Sequence, residues 1–173
     1  MFGFTRKTDY ALVALVGLAE PPVKEADQQS ARQIAERFDL PLPALMGILK
    51  CLMGVGLVRS TRGPRGGYSL ARKPADISVN DVVSAIEGPV SVTNCCNASA
   101  TRGARVPGDG STHCRIQGRC PISISVRGLN RQIGDYLSHV TLADLMRNDG
   151  RPFASSEPTS LHPASGSLKE EAQ

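Results

Sequence analysis

Apolar residues recur at helical spacing in three short stretches of the first half of the chain. Leu12, Leu15, Val16 and Ala19 share one face of a helix predicted over 8–19, which Glu20-Pro21-Pro22 ends. Residues 23–29 are polar and read as a loop. Ala31, Ile34 and Ala35 mark a short helix over 31–37, followed by the turn Phe38-Asp39-Leu40-Pro41-Leu42. Leu45, Ile48, Leu49 and Leu52 then form the buried stripe of a longer helix from about Pro43 to Met53. Pro43 suits its first turn, and Gly54 or Gly56 can end it in a left-handed cap. Cys51 lies within this Leu-rich helix and reads as a core residue.

The period then changes. Residues 57–61 and 67–70 read as two strands, and Arg62-Gly63-Pro64-Arg65-Gly66 between them forces a reversal. A further helix over 79–87 stops at Gly88-Pro89. Ser30 with Gln33, Ser78 with Asp81 and Thr141 with Asp144 each pair a hydroxyl with an acid or amide three residues on, the pattern of a capping box. Residues 89–120 lack periodicity, are rich in Gly, Ser, Asn and Thr, and hold four of the five cysteines. From Pro121 onward, Ile122, Val126, Leu129, Ile133, Tyr136 and Val140 alternate at intervals of four and three, an a/d seam on one long helix. Such a stripe must pack on the body of the protein, on a partner copy, or on both. The tail over 148–173 is rich in Ser, Pro, Glu and Ala and is predicted to be disordered.

The fold class predicted is mainly α with a small β-wing: a winged helix-turn-helix over 1–89, a cysteine-bearing loop over 90–120, and a long C-terminal helix with a short following helix over 121–147. Composition agrees. Aromatics are 4% of the 173 residues and Trp is absent, which counts against base-stacking RNA readers and carbohydrate platforms. The net charge of +4 is unevenly spread, with residues 1–75 at +5 and residues 76–173 at −1. Arg59, Arg62, Arg65, Arg72 and Lys73 of the predicted ribbon match that whole excess, and no acid lies among them. A solvated basic face is the bland explanation, and a plain glycine hairpin is the bland explanation of 63–67. Helix order and charge together favour double-stranded DNA. The residues expected to meet it are Arg59, Arg62, Arg65 and Lys50, with Gly63, Gly66, Gly67 and Tyr68 shaping a narrow tip. A nucleotide-phosphate loop is disfavoured, because here a strand leads to a strand.

The N-terminus imitates a secretory leader, with Arg6 and Lys7 before an apolar run and Gly17-Leu18-Ala19 after it. Asp9 beside the run and the helical spacing point instead to an amphipathic helix of a cytoplasmic protein with no membrane span. In that compartment Cys95, Cys96, Cys114 and Cys120 suggest metal or redox chemistry rather than disulfides. Thiolates suit an iron–sulfur cluster, with His113 and Asp9 as possible further ligands. Zinc and free thiols are the alternatives, although the two-residue spacing of zinc knuckles is missing. The histidines are scattered and no catalytic grouping is readable, so an enzyme is not expected; a small redox enzyme using Cys95 and Cys96 would lack the usual C-x-x-C pair.

Lys7-Thr8-Asp9-Tyr10-Ala11-Leu12, Ile34-Ala35-Glu36, Ile48-Leu49-Lys50, Gly56-Leu57-Val58-Arg59-Ser60, Arg62-Gly63-Pro64-Arg65-Gly66-Gly67-Tyr68 and Ala85-Ile86-Glu87-Gly88-Pro89 follow in order. Over residues 2–147 the chain resembles the Rrf2 family of winged-helix regulators, in its IscR- and NsrR-like, iron–sulfur branch. The resemblance implies a homodimer whose long C-terminal helix crosses onto its partner, a roughly palindromic operator, and a wing arginine at Arg62. Pro43, Ala44, Met46 and Gly47 stand where some members have polar base readers, which shifts readout toward wing, backbone and DNA shape. Cluster-binding members carry three cysteines about five residues apart. The interval Cys114 to Cys120 fits, whereas Cys96 to Cys114 carries a glycine-rich insert, which loop closure tolerates. One branch adds a His three residues after the last Cys, where this chain has Ser123; another adds an Asp from the partner's first helix, matching Asp9. The implied ligands of a 2Fe–2S or 4Fe–4S cluster are Cys96, Cys114, Cys120 and Asp9, with Cys95 or His113 as substitutes. The implied function is a DNA-binding repressor that senses nitric oxide, redox state or iron through that cluster. A regulator of the same family with a zinc or metal-free thiol site is the alternative.

Overall fold

The computed structural model describes residues 3–20, 28–63, 66–93, 96 and 119–147. Helices α1 (Arg6–Ala19), α2 (Ala31–Phe38) and α3 (Leu42–Gly54) come first. The hairpin β1 (Val58–Thr61) and β2 (Gly67–Leu70) follows, and then a 3-10 turn at Pro74–Asp76. The chain continues through α4 (Val79–Ile86), α5 (Ser123–His139) and α6 (Leu142–Met146). The strands are antiparallel, in a register that opposes Val58 to Leu70 and Thr61 to Gly67.

All three capping boxes form. Ser30, Ser78 and Thr141 accept from the backbone N–H of Gln33, Asp81 and Asp144, whose side chains reach back to the capping N–H. Asp39 ends α2 in the left-handed region at φ 51°, which gives the tight turn into α3. Gly56, at φ 70°, rather than Gly54, turns the chain out of α3 toward the wing.

Leu15, Ile34, Leu45, Leu49, Leu52, Leu57, Ile77 and Leu142 are the large, fully buried side chains of one core. On α1 the face packed tightest is Thr8, Ala11, Ala14, Leu15 and Gly17, rather than the stripe of Leu12, Leu15, Val16 and Ala19 expected from the sequence. Small residues let neighbouring elements approach closely. A Cβ on Gly17 would lie well inside contact distance of the Phe38 ring. After α5 the chain returns to this core. Val79 N–H donates to Val140 O at 2.8 Å, Leu142 N–H donates to Ile77 O at 2.8 Å, and Leu142 is buried.

Helix α5 behaves differently. It has no fully buried residue of its own. Its end packs on α4 through Leu137 and the buried Val140 beyond it. Within one chain half of the seam stays open to water, with Ile122 59% exposed, Leu129 47% and Tyr136 48%, while Val126 and Ile133 are half-buried; Ile124, off the seam, is 80% exposed.

Candidate nucleic-acid interface and cysteine site

Helix α3 packs against α2 on one side and adjoins β1 of the hairpin on the other. The stripe Leu45, Ile48, Leu49 and Leu52 faces the core, which turns Pro43, Met46, Gly47, Lys50 and Cys51 outward. Cys51 is therefore exposed, not a core residue as the sequence suggested. It lies about 110° around the helix from the centre of the leucine stripe, so its membership of a Leu-rich segment did not bury it.

The wing is fixed by backbone contacts. Gln29 pairs with Tyr68 in both directions, N–H to O at 3.1 Å and Tyr68 N–H to Gln29 O at 2.8 Å. Gln29 Nε2 also donates to Gly17 O at 2.7 Å, which ties the wing to the end of α1. A Cβ on Gly67 would sit 2.7 Å from Gln29 O, so this approach demands glycine. Gly63 holds φ 126° at the tip, which side chains resist. Gly66 N–H closes the reversal by donating to Gly63 O at 2.9 Å. Arg59 donates through Nε to Ser69 Oγ at 2.9 Å, and Arg62 is exposed at the start of the tip. Tyr68 is half-buried and its hydroxyl reaches Met46 Sδ at 4.0 Å. Arg65 lies outside the described residues.

Two of the four clustered cysteines are described, and both lie against the start of α5. The Cys96 thiol approaches Val126 O at 3.8 Å and accepts from Thr93 Oγ1 at 3.4 Å. The carbonyl of Cys120 accepts from Ser123 N–H at 3.4 Å. Both cysteines are half-buried. Asn130 on α5 secures the irregular segment leading to Cys96. Its Oδ1 accepts from Val92 N–H at 2.9 Å, and its Nδ2 donates to Val90 O at 3.2 Å. Cys95, His113 and Cys114 lie outside the described residues. Asp9 is exposed on the first turn of α1. Among the described residues no three potential ligands of one chain form a metal-holding group, so Asp9 does not join Cys96 and Cys120 within a chain.

Glu87, at the end of α4, is bonded to the start of α1, and its part was not foreseen from the sequence. Its Oε1 accepts from Thr5 N–H at 2.8 Å, from Thr5 Oγ1 at 3.0 Å, and from the fully buried hydroxyl of Thr8. Thr5 makes no side-chain cap of its own, so Glu87 caps α1 from a distance. Partial burial pushes its carboxyl up. The hydrogen bonds from Thr8 and Thr5 outweigh that and hold it below the usual glutamate range. Gln29 and Asn130 were likewise not foreseen, since their partners are distant in sequence.

A three-helix body with a helix-turn-helix and an arginine-bearing β-wing defines a winged-helix DNA-binding protein. Comparison with known proteins makes the class specific. The sequence pattern of the Rrf2 family, described as "Iron-dependent Transcriptional regulator", matches residues 4–148. The HTH-type transcriptional regulator IscR of Erwinia tasmaniensis is 33% identical over 148 residues, which are 83% of this chain and 78% of that protein. The structure of T. potens IscR superposes with a TM-score of 0.56 at 30% identity, covering 84% of this chain and 87% of that one. CymR, the global cysteine regulator of B. subtilis, gives a TM-score of 0.60 at 26% identity, covering 85% of this chain and 98% of that one. The chain belongs to the Rrf2 family of DNA-binding transcriptional regulators and is not an enzyme. Among the described residues no helix is long and apolar enough to cross a membrane.

Proposed function

We propose that this chain is a cytoplasmic homodimeric repressor whose operator affinity is set by an iron–sulfur cluster, 2Fe–2S or 4Fe–4S. Cys96, Cys114 and Cys120 would hold it, with Asp9 of the partner subunit as the fourth ligand and Cys95 or His113 as substitutes. The observation that carries this reading is that Cys96 and Cys120, far apart in sequence, each lie by the first turn of α5. Half-buried thiols beside a helix end suit soft metal centres. When bound, the cluster would supply a centre sensitive to nitric oxide, oxygen and iron supply.

The residues of the chain carry its state to the DNA. Asn130 holds the segment over 90–93 on α5, and engaged thiolates would keep Cys96 there as well. Glu87, just before that segment, grips the first turn of α1 next to Asp9. Helix α1 touches Gln29, which positions the wing. Released cysteines loosen this chain of contacts and alter the spacing of two reading heads on a roughly palindromic operator. A switch requires that the two states bind DNA differently. The open apolar face of α5 supports the dimer. In the DNA complex Lys50, Arg59, Arg62 and Arg65 would contact phosphates or grooves, with Gly63, Gly66, Gly67 and Tyr68 shaping the wing.

Anaerobic purification with absorption spectroscopy and iron and sulfide counts tests the cofactor. Matched iron and sulfide are expected. Zinc alone, or no metal, favours the second reading of a thiol or zinc regulator. An Asp9→Ala protein that keeps a stable cluster and an unchanged response rejects Asp9 as a ligand.

A further inference from the structure

The outward face of α3 carries little of the chemistry that reads base edges. Pro43, Met46, Gly47, Lys50, Cys51 and Gly54 are all exposed there. Only Lys50 is charged. None is an amide, carboxylate or guanidinium able to pair bidentately with a base. Gly47 stands at the middle of this face, at about 100° per residue around the helix. Among the described residues, a Cβ added to it meets nothing within 4 Å. Its backbone is helical, and it is not among the positive-φ glycines. Neither packing against the described residues nor backbone conformation calls for glycine, and mid-helix glycine is less stable than alanine. The remaining physical reason is an outside surface that comes up against the helix. Met46 lies beside it at 46% exposure, its sulfur steadied by the Tyr68 hydroxyl of the wing at 4.0 Å.

We propose that Gly47 is the point where the operator's major groove comes closest to α3. On either side, Met46 and Cys51 read thymine C5-methyl groups by apolar contact. The proposal rests on α3 being the helix that enters the groove. The thymine methyl is the apolar group that the major groove presents, and it is the base feature such a face can recognise. Lys50, a turn further along, is left for a phosphate. The base pairs beneath α3 are therefore specified as A·T rather than by guanine contacts, and Gly47 determines how deeply the helix seats.

The test begins with operator selection from randomised duplexes by the full-length protein. Gly47→Ala should then raise the Tm by about 4 °C through helix propensity. The same change should weaken operator binding at least fivefold, because a methyl now intrudes on the contact. Non-specific DNA binding should stay unchanged. Replacing thymine by uracil beneath α3 should weaken the wild type about fourfold per methyl lost, the equivalent of one buried methylene. Met46→Ala should abolish part of that penalty. A Gly47→Ala protein that gains stability and binds its operator as before would overturn the proposal. So would indifference of the wild type to uracil. A wild type that binds duplexes but selects no sequence overturns it too, and one that binds no DNA removes the reading on which it rests.

Discussion

Removing the Glu87 carboxylate should unseat the first turn of α1. The Thr8 hydroxyl is fully buried and donates to Glu87 Oε1, so Glu87→Ala leaves a buried donor without its acceptor. Such a loss costs about 1–3 kcal/mol. Thr5 is exposed and its N–H and hydroxyl turn to water, so they add little to that figure. The expected destabilisation is about 2 kcal/mol, a drop in Tm of roughly 5–10 °C for a protein of this size. A double-mutant cycle with Thr8→Val isolates the contact. In the Thr8→Val background Glu87→Ala should cost no more than about 0.5 kcal/mol, a coupling above about 1 kcal/mol. The pH dependence has a definite sign. Hydrogen bonds hold the folded carboxyl below the usual range, so its contribution is complete above the unfolded value and lost as pH falls through the folded one. The gap between wild type and Glu87→Gln should be full at neutral pH and close below about pH 4. Additive single mutants, or a gap that widens on acidification, would refute the clamp.

Three further outcomes are expected. Gly17→Ala forces a methyl onto the Phe38 ring and should destabilise by about 1–3 kcal/mol in thermal melts, with partial recovery when Phe38 is also changed to Leu. Arg62→Ala should weaken DNA binding and reduce the slope of log affinity against log salt by about one, as should Arg65→Ala; slopes unchanged in both would return the wing charge to a solvated face. Leu129→Glu, on the open face of α5, should convert a dimer to a monomer in analytical ultracentrifugation while leaving helical content intact, and an unchanged mass would exclude α5 from the interface.

What could be read from the sequence was local. Each capping box is written within four residues, and all three form. The stripe of α3 and the reversal at the wing follow from periodicity and glycine placement, so helix-turn-helix and wing were both expected. Contacts made across long separations left no such trace. Thr8 and Glu87 are 79 positions apart, and nothing near either residue announces the pair. The pairing of Gln29 with Tyr68 gave no hydrophobic or turn signal, although it explains why Gly67 lacks a side chain. On α1 the sequence pointed to the largest apolar residues, whereas the closest packing uses Ala11, Ala14 and Gly17. Cys51 was misplaced for a similar reason: composition suggested burial, but angular position on α3 decides it. Of the candidate ligands, Cys96 and Cys120 are brought to one end of α5, while Asp9 stays outside any ligand group of one chain. A ligand from a partner subunit, as proposed for Asp9, would be invisible to spacing rules within a single sequence.

If the cysteine site governs DNA binding, stripping the cluster from one anaerobic preparation must change its operator affinity. The Kd values measured before and after should differ by about tenfold or more, a free-energy difference of roughly 1.4 kcal/mol between the states. Equal affinities from a preparation with matched iron and sulfide would show a cluster that does not switch the protein, and would contradict that role of the site.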